Sequence, residues 1–274
     1  MNQVKTGFKL FFQSIILTFK HVQLYLYIGA YFVAHHLLNY FLFPSPNLDI
    51  QPLNEGITMT GDYKAGISSS FNTLFLLGLL FNLISFIFFY VLIIGITDYT
   101  SHILHNHTET MIHSIKKGFS KLGNIIGYGF LKLFFIYLAM YSILYSNFSI
   151  RSLQIILPIL FPAIVYLVFE TITFYFFITI TLSNTRFFEA LKKSFRMILK
   201  TFFAVIVFLM LWTGIVAMTS LLIPAFTGMP QFKLHVTLFT AITSIFSYTI
   251  FTVFKTILYE KANGTLPKQY DPEK

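Results

Sequence analysis

Six long apolar segments recur along the chain, each long enough to cross a lipid bilayer as an α-helix. A bilayer core of about 30 Å requires about 20 apolar residues in a helix. The segments that meet this requirement are Val22–Phe43, Phe71–Thr97, Gly123–Ser146, Leu153–Leu182, Phe203–Phe226 and His235–Tyr259. The fourth contains Pro158 and Pro162, which predict a tilt or kink near its start. The pattern predicts one all-α integral membrane domain over 1–274.

The distribution of basic residues predicts the orientation of these spans. Most of the 19 Lys and Arg residues lie before the first span, between the second and third, between the fourth and fifth, or in a last group that begins at Lys255. The opposite side carries only Lys64, Arg151 and Lys233. Because translocation disfavours Lys and Arg, the basic side is cytoplasmic. We therefore expect a multi-pass protein of the bacterial inner membrane with both termini in the cytoplasm.

One connection on the opposite side is long. The loop over 44–70 carries Asp49, Glu55 and Asp62 among several Pro, Gly and Ser residues. This composition is typical of a loosely ordered segment, here an extracytoplasmic one.

A similar basic motif precedes each odd-numbered span. The three copies are Lys5-Thr6-Gly7-Phe8, Lys116-Lys117-Gly118-Phe119 and Lys192-Lys193-Ser194-Phe195. In this register, apolar residues recur at i, i+4, i+7 and i+11, which places them on one helical face. The motif predicts amphipathic helices at the cytoplasmic interface and three helix-plus-hairpin units over about 1–97, 98–182 and 183–260. The alternative is coincidence, because apolar matches arise easily in a chain that is 56% hydrophobic.

These interfacial helices would place cations against the bilayer surface, where anionic headgroups bind them. The headgroup candidates are Lys5, Lys9, Lys116, Lys117, Lys121, Lys192, Lys193, Arg196 and Lys200. The expected partners are therefore the lipid bilayer and its anionic headgroups, with other membrane proteins or a second copy of the chain as alternatives.

Composition excludes several classes of protein. Only 11% of residues are charged, against about 25% in an ordinary soluble domain. The chain has no cysteine, which excludes disulfides and thiolate metal sites. The net charge of +9 would suit nucleic acid, but its sorting by membrane side explains it better, so we expect no nucleic-acid partner.

Two segments resemble a known family. The stretch Phe187-Phe188-Glu189-Ala190-Leu191-Lys192-Lys193-Ser194-Phe195 and the opening Phe8-Lys9-Leu10-Phe11-Phe12-Gln13-Ser14 are similar to motifs of bacterial six-span membrane proteins of unknown function. A related pattern occurs in the membrane domain attached to some glycerophosphodiester phosphodiesterases. The resemblance implies the fold and the membrane location. It carries no catalytic residue, since the phosphodiesterase chemistry resides in a separate domain.

Glu170 and Lys132 are the ionisable residues that the pattern places well inside spans. A charge there costs about 2.5–3.5 kcal/mol on insertion scales, so it needs a partner, a cavity or a proton. The two lie at similar depths, which predicts a Glu170–Lys132 pair between neighbouring helices. The pair would form a proton or substrate site, or would only lock the bundle.

Histidines supply the other candidate polar groups. His35, His36 and Asn39 lie in the outer half of the first span and would line a cavity or hydrogen-bond between helices. His102, His105, His107 and His113 follow the second span. Three or four imidazoles could bind zinc, and His102 and His105 share a helical face. Cysteine is absent, however, and the spacing relative to Asp98 and Glu109 matches no known ligand set, so the sequence favours solvated interfacial histidines and no metal.

These observations favour a non-enzymatic membrane protein that organises lipid or partner proteins. The chain carries no Walker, zincin, nucleophile-elbow or dinucleotide motif, so no catalytic residue or cofactor is predicted. The alternative is a small-solute or lipid transporter that uses an intramembrane Glu170 site. A transporter requires a polar cavity that reaches Glu170, whereas a sealed apolar bundle would argue against one.

Overall fold

The computed structural model describes residues 2–42, 67–144, 161–162, 164–166, 168–227 and 233–271, and every element in these ranges is helical. The helices are α1 Asn2–Lys20, α2 Gln23–Leu42, α3 Ile67–Leu104, α4 Met111–Phe119, α5 Leu122–Leu144, α6 Phe176–Ser183, α7 Phe187–Thr227 and α8 Lys233–Asn263. A single 3₁₀ turn follows at Lys268–Tyr270. The all-α fold predicted from the sequence is confirmed.

Four helical stretches in the described ranges are long and apolar enough to cross a membrane. They are Leu80–Leu104, Leu122–Ala139, Ile164–Ser183 and Ile242–Asn263. These correspond to the second, third, fourth and sixth predicted spans. Helix α2 and the second half of α7 occupy the ranges predicted for the first and fifth spans, and most of the long loop lies outside the described residues.

Helix α3 is longer than the predicted second span. It continues beyond Thr97 through Asp98 to Leu104. Asp98 does not end the helix because its carboxylate is satisfied within the protein: Oδ1 pairs with Lys117, and Oδ2 accepts a hydrogen bond from Ser114 Oγ at 2.9 Å. Asp98 and Glu260 in α8 are both buried, and both lie within stretches long and apolar enough to cross a membrane, so Glu170 is joined by two further carboxylates in such stretches.

The fourth span is interrupted near its middle. Its helix breaks at a turn over Phe174 and Tyr175 before α6 begins. A kink was predicted near the prolines; Pro162 is helical in the structure, and Pro158 lies outside the described residues. The side chain of Ser194 explains how the break is tolerated. Its Oγ accepts a hydrogen bond from the Tyr175 amide at 3.0 Å and donates one to the Ile172 carbonyl at 2.8 Å.

The three basic motifs share one packing feature. The small residue of each copy is buried, and it approaches a neighbouring helix closely. A Cβ on Gly7 would lie 3.2 Å from the Cα of Ala204, and one on Gly118 would lie 2.5 Å from the Val91 carbonyl oxygen. The third equivalent, Ser194, makes the backbone hydrogen bonds described above.

The phenylalanine that follows each small residue points away from the protein. Phe8, Phe119 and Phe195 remain 42%, 42% and 47% exposed. Each of the three segments therefore places one small residue against the bundle and the phenylalanine that follows it toward the outside. An outward apolar face is what a helix embedded in the bilayer surface requires.

Two apolar clusters form the interior. One joins α1, α2 and α8 to residues around Tyr175 and includes Leu24, Ile28 and Phe254. The other joins α3, α5 and the fourth span and includes Ile94 and Ile125. The aromatic side chains at the boundary of these clusters surround an open space, and the polar side chains inside the bundle converge there.

Candidate functional site

A cavity of about 400 Å³ lies inside the helical bundle. Side chains from α2, α3, α5, the fourth span and α8 line it. Its polar lining residues are Tyr31, His35, Asn82, Ser85, Tyr90, Tyr128, Lys132, Tyr166, Glu170, Thr173, Tyr248, Thr252 and Lys255. The interior is therefore not the sealed apolar bundle that would have argued against a transporter.

Lys255 is the polar residue that the sequence analysis missed. It was grouped with the cytoplasmic cations, but the structure places it half-buried in the wall of the cavity. Its Nζ lies 4.1 Å from the ring centroid of Phe174 and 3.9 Å from that of Phe251. No ion pair among the described residues involves Lys255. Two aromatic faces thus hold the ammonium group in place of a carboxylate.

Glu170 and Lys132 line the same cavity without a direct bond between them. None of the ion pairs within 4.0 Å in the described part of the chain joins these two residues. Lys132 Nζ instead lies 5.9 Å from the ring centroid of Phe86. The direct pair predicted from the sequence is therefore not among the close contacts of the described residues, and both side chains contribute to the lining of one cavity.

His35 is held firmly in the cavity wall. Its Nδ1 lies 3.0 Å from Ser85 Oγ, and its ring stacks on Phe81 with the centroids 5.4 Å apart. Tyr31 donates a hydrogen bond to the Ser85 carbonyl at 3.0 Å. These contacts link α2 to α3. The side chains of His36 and Asn39 lie outside the described residues.

The chemistry of the cavity suits a small anion with an apolar part. Two ammonium groups and one carboxylate face it, which gives a formal excess of one positive charge. Tyrosine hydroxyls at five positions supply hydrogen-bond donors, and phenylalanine rings complete the walls. Polar groups that converge within aromatic walls are characteristic of small-molecule sites.

The broken helix contributes directly to this cavity. Four residues around the turn line the cavity: Thr173 just before it, Phe174 within it, and Phe177 and Ile178 after it. Tyr175, at the break, also shares a hydrogen bond with Thr201 at 2.9 Å between the two hydroxyl groups. Thr201 has non-helical backbone angles and marks the kink in α7. Two irregular helices are therefore joined beside the cavity.

Part of the predicted basic surface forms a second pocket. It has a volume of about 370 Å³, and its charged lining residues are Glu189, Lys192, Lys193, Arg196 and Lys200. Lys193 Nζ donates a hydrogen bond to Ser183 Oγ at 2.6 Å, which fixes one wall. The convergence of four cations on one space makes this pocket suitable for a phosphate-bearing headgroup.

The remaining predicted headgroup residues have different surroundings. Lys5, Lys9 and Lys116 are exposed. Lys121 contacts the side chain of Asn184, and Lys117 pairs with Asp98. The last two therefore have partners within the protein in addition to any lipid they meet.

Three of the histidines after the second span, His102, His105 and His113, lie within 4.0 Å of carboxylates. His105 Nε2 lies 2.8 Å from Glu260 Oε2, and Ser101 Oγ donates to Glu260 Oε1 at 2.6 Å. His102 lies between Asp98 and Glu109. The sequence did not indicate these contacts because Glu260 is more than 150 residues from its partners.

Comparison of the chain with protein-family models, with curated proteins and with solved structures finds no match. The resemblance to six-span membrane proteins therefore rests on the sequence motifs alone.

Proposed function

We propose that this protein is a six-span transporter of the bacterial inner membrane that binds small amphiphilic anions in the cavity between Glu170, Lys132 and Lys255. Both termini face the cytoplasm in this proposal. The ligand's anionic group would lie between the two lysines, and its apolar part would contact the phenylalanine walls. No catalytic step is assigned to the site.

The observation that carries the proposal is the convergence of three ionisable side chains from three helices on one cavity of the bundle. If the bundle crosses the membrane as proposed, each such charge costs about 2.5–3.5 kcal/mol on insertion scales. A bundle with only a structural role would be more stable with apolar residues at these positions. Intramembrane charges that face a cavity are typical of substrate and ion pathways.

The broken fourth span supports the same function. Transporters commonly build their sites from discontinuous helices near the bilayer midplane, where irregular backbone lines a cavity. Here the break lies in the cavity wall, and Ser194 satisfies the backbone groups that it frees. The three equivalent motifs support an internal repeat, which is another common feature of such folds.

Ligand binding can be tested with benzenesulfonate, a permanent anion with an aromatic body. Purified protein in detergent is unfolded thermally with benzenesulfonate or with its neutral isostere benzenesulfonamide. We expect the anion alone to raise the melting temperature, and the Lys255→Met variant to lose this response. Lys268→Met, which removes an exposed cation outside the cavity, is the matched control. Equal stabilisation by the neutral isostere would contradict an anion site.

Transport requires a separate measurement. Proteoliposomes containing the wild-type protein should accumulate labelled benzenesulfonate faster than empty vesicles, and those containing Lys255→Met should not. Binding without uptake would support the anion-binding site but contradict a transport function. In that case the protein would be a receptor or a lipid-organising protein.

The basic pocket favours a second candidate function, the organisation of anionic lipid. Four cations converge there, and exposed apolar residues of α1 such as Phe12 and Phe19 would anchor the helix in the bilayer. The test compares the lipid that copurifies with wild-type protein and with a Lys192→Gln, Arg196→Gln, Lys200→Gln variant. Lower phosphatidylglycerol content in the variant, at unchanged phosphatidylethanolamine, would support this function.

A further inference from the structure

Three potential metal ligands meet near the end of α3, and a further histidine lies close to one of them. Asp98 and His102 lie one turn apart on the last part of α3, Glu109 lies in the connection, and His113 lies in the first turn of α4. One ligand atom from each of Asp98, His102 and Glu109 lies within 4.8 Å of the others. This cluster is separate from the intramembrane cavity, whose lining includes none of these residues.

The distances within this cluster match those around a bound zinc ion. His102 Nε2 lies 3.4 Å from Asp98 Oδ2 and 3.1 Å from Glu109 Oε2, and His113 Nε2 lies 3.7 Å from that same Glu109 oxygen. A tetrahedral zinc ion with bonds of about 2.0–2.1 Å separates its ligand atoms by about 3.3–3.4 Å. The ligand atoms of Asp98, His102 and Glu109 all lie within 4.8 Å of one another, so these three side chains can reach one ion, and His113 lies beside Glu109.

A protonated histidine explains this geometry less well. His102 Nε2 faces two carboxylates at once, but an imidazolium nitrogen carries a single proton to donate. A divalent cation can instead bind the imidazole nitrogen and one oxygen of each carboxylate together. Imidazole with carboxylate ligands is a donor set that zinc accepts readily.

The surroundings of Asp98 are those of a supported ligand. Its side chain is only 3% exposed; Oδ1 pairs with Lys117, and Ser114 Oγ donates to Oδ2 at 2.9 Å. Metal-binding carboxylates are commonly oriented by such outer contacts. His102 and Glu109 retain side-chain exposures of 23% and 39%, which leaves a route for the ion. Thr110 orders the start of α4, since its side chain accepts from the His113 amide at 3.4 Å.

We infer that Asp98, His102 and Glu109 form a zinc-binding site at the interface, one that ties the end of α3 to the connection that leads into α4. The bound ion would clamp the connection between the first and second helical units. The site is independent of the proposed transport, since it shares no residue with the cavity.

The full-length protein, purified without a polyhistidine tag and washed with chelator, can be titrated with Zn²⁺ in a calorimeter. We expect one ion per chain. His102→Ala and Glu109→Gln should each weaken binding by at least 10–100-fold, the loss typical even of outer-shell changes. His21→Ala, which removes a histidine from the junction of α1 and α2, should bind as the wild type does.

Thermal unfolding provides a second readout. Zn²⁺ should raise the melting temperature of wild type and His21→Ala but not that of His102→Ala. Glu109→Gln is isosteric and partly exposed, so it keeps the test valid if His102→Ala fails to fold. The absence of saturable binding, or wild-type affinity in both cluster variants, would overturn the site and leave His102 as a salt-bridge partner.

Discussion

Ser194 and Tyr175 are joined by a hydrogen bond that holds together a broken membrane helix. The Ser194 hydroxyl accepts from the Tyr175 amide at 3.0 Å and donates to the Ile172 carbonyl at 2.8 Å. A helix break in a membrane leaves backbone groups that water cannot satisfy. One side chain from the start of α7 satisfies two of them, which makes Ser194 the residue that permits irregular backbone beside the cavity.

We therefore expect Ser194→Ala to destabilise the protein. The change leaves a buried amide and a buried carbonyl without this partner, and an unsatisfied buried group costs about 1–3 kcal/mol. Equilibrium unfolding in detergent would measure the loss. Ser120→Ala is the control, because that hydroxyl is exposed and bonds only to the Lys117 carbonyl of its own turn. Equal stability of both variants would show that the break does not depend on Ser194.

Gly118 is the residue of the second motif that is equivalent to Ser194, and adding a methyl group there should cause a steric clash. A methyl group on Gly118 would lie 2.5 Å from the Val91 carbonyl oxygen, so Gly118→Ala should force α4 away from α3. Overpacking of this kind typically costs about 1–3 kcal/mol. Gly123→Ala, which meets nothing within 4 Å, should be neutral or slightly stabilising because alanine favours a helix. Thermal unfolding of the two variants would separate these outcomes.

The sequence was informative where its signal is local. Apolar length predicted the helical fold and the approximate positions of the four stretches that could cross a membrane, because the bilayer sets a minimum length for each. The aligned Gly7, Gly118 and Ser194 marked positions that the structure shows to be buried against neighbouring helices. Helix ends were less predictable: α3 extends to Leu104 because a partner from α4 satisfies Asp98.

The polar sites depend on contacts that no local pattern contains. Lys255 lies near the end of a span, where a cation usually reaches the headgroups, and only its contacts with the rings of Phe174 and Phe251 show that it lies in the cavity wall. Ser101 and His105 likewise meet Glu260 across the bundle. The one available signal was the presence of Lys255 inside the predicted sixth span, four residues before its end.

The proposed topology predicts which positions a membrane-impermeant thiol reagent will reach. The chain has no native cysteine, so single substitutions report without background. In intact spheroplasts, Ser45→Cys in the long loop should react, whereas Ser120→Cys and Gln269→Cys should react only after the membrane is opened. Labelling of Ser120→Cys in intact spheroplasts would reverse the orientation inferred from the basic residues.

The cavity charges predict opposite effects of two substitutions on anion affinity. Glu170 and Lys255 face the same space without an ion pair in the described structure, so a bound anion would experience attraction from one and repulsion from the other. Glu170→Gln removes the repulsion and should tighten benzenesulfonate binding by roughly three- to tenfold, a gain of up to about 1.4 kcal/mol. Lys255→Met should abolish binding. Calorimetric titration of both variants with benzenesulfonate would test this. Weaker binding by Glu170→Gln would contradict repulsion and would mean that Glu170 is protonated and donates a hydrogen bond to the anion.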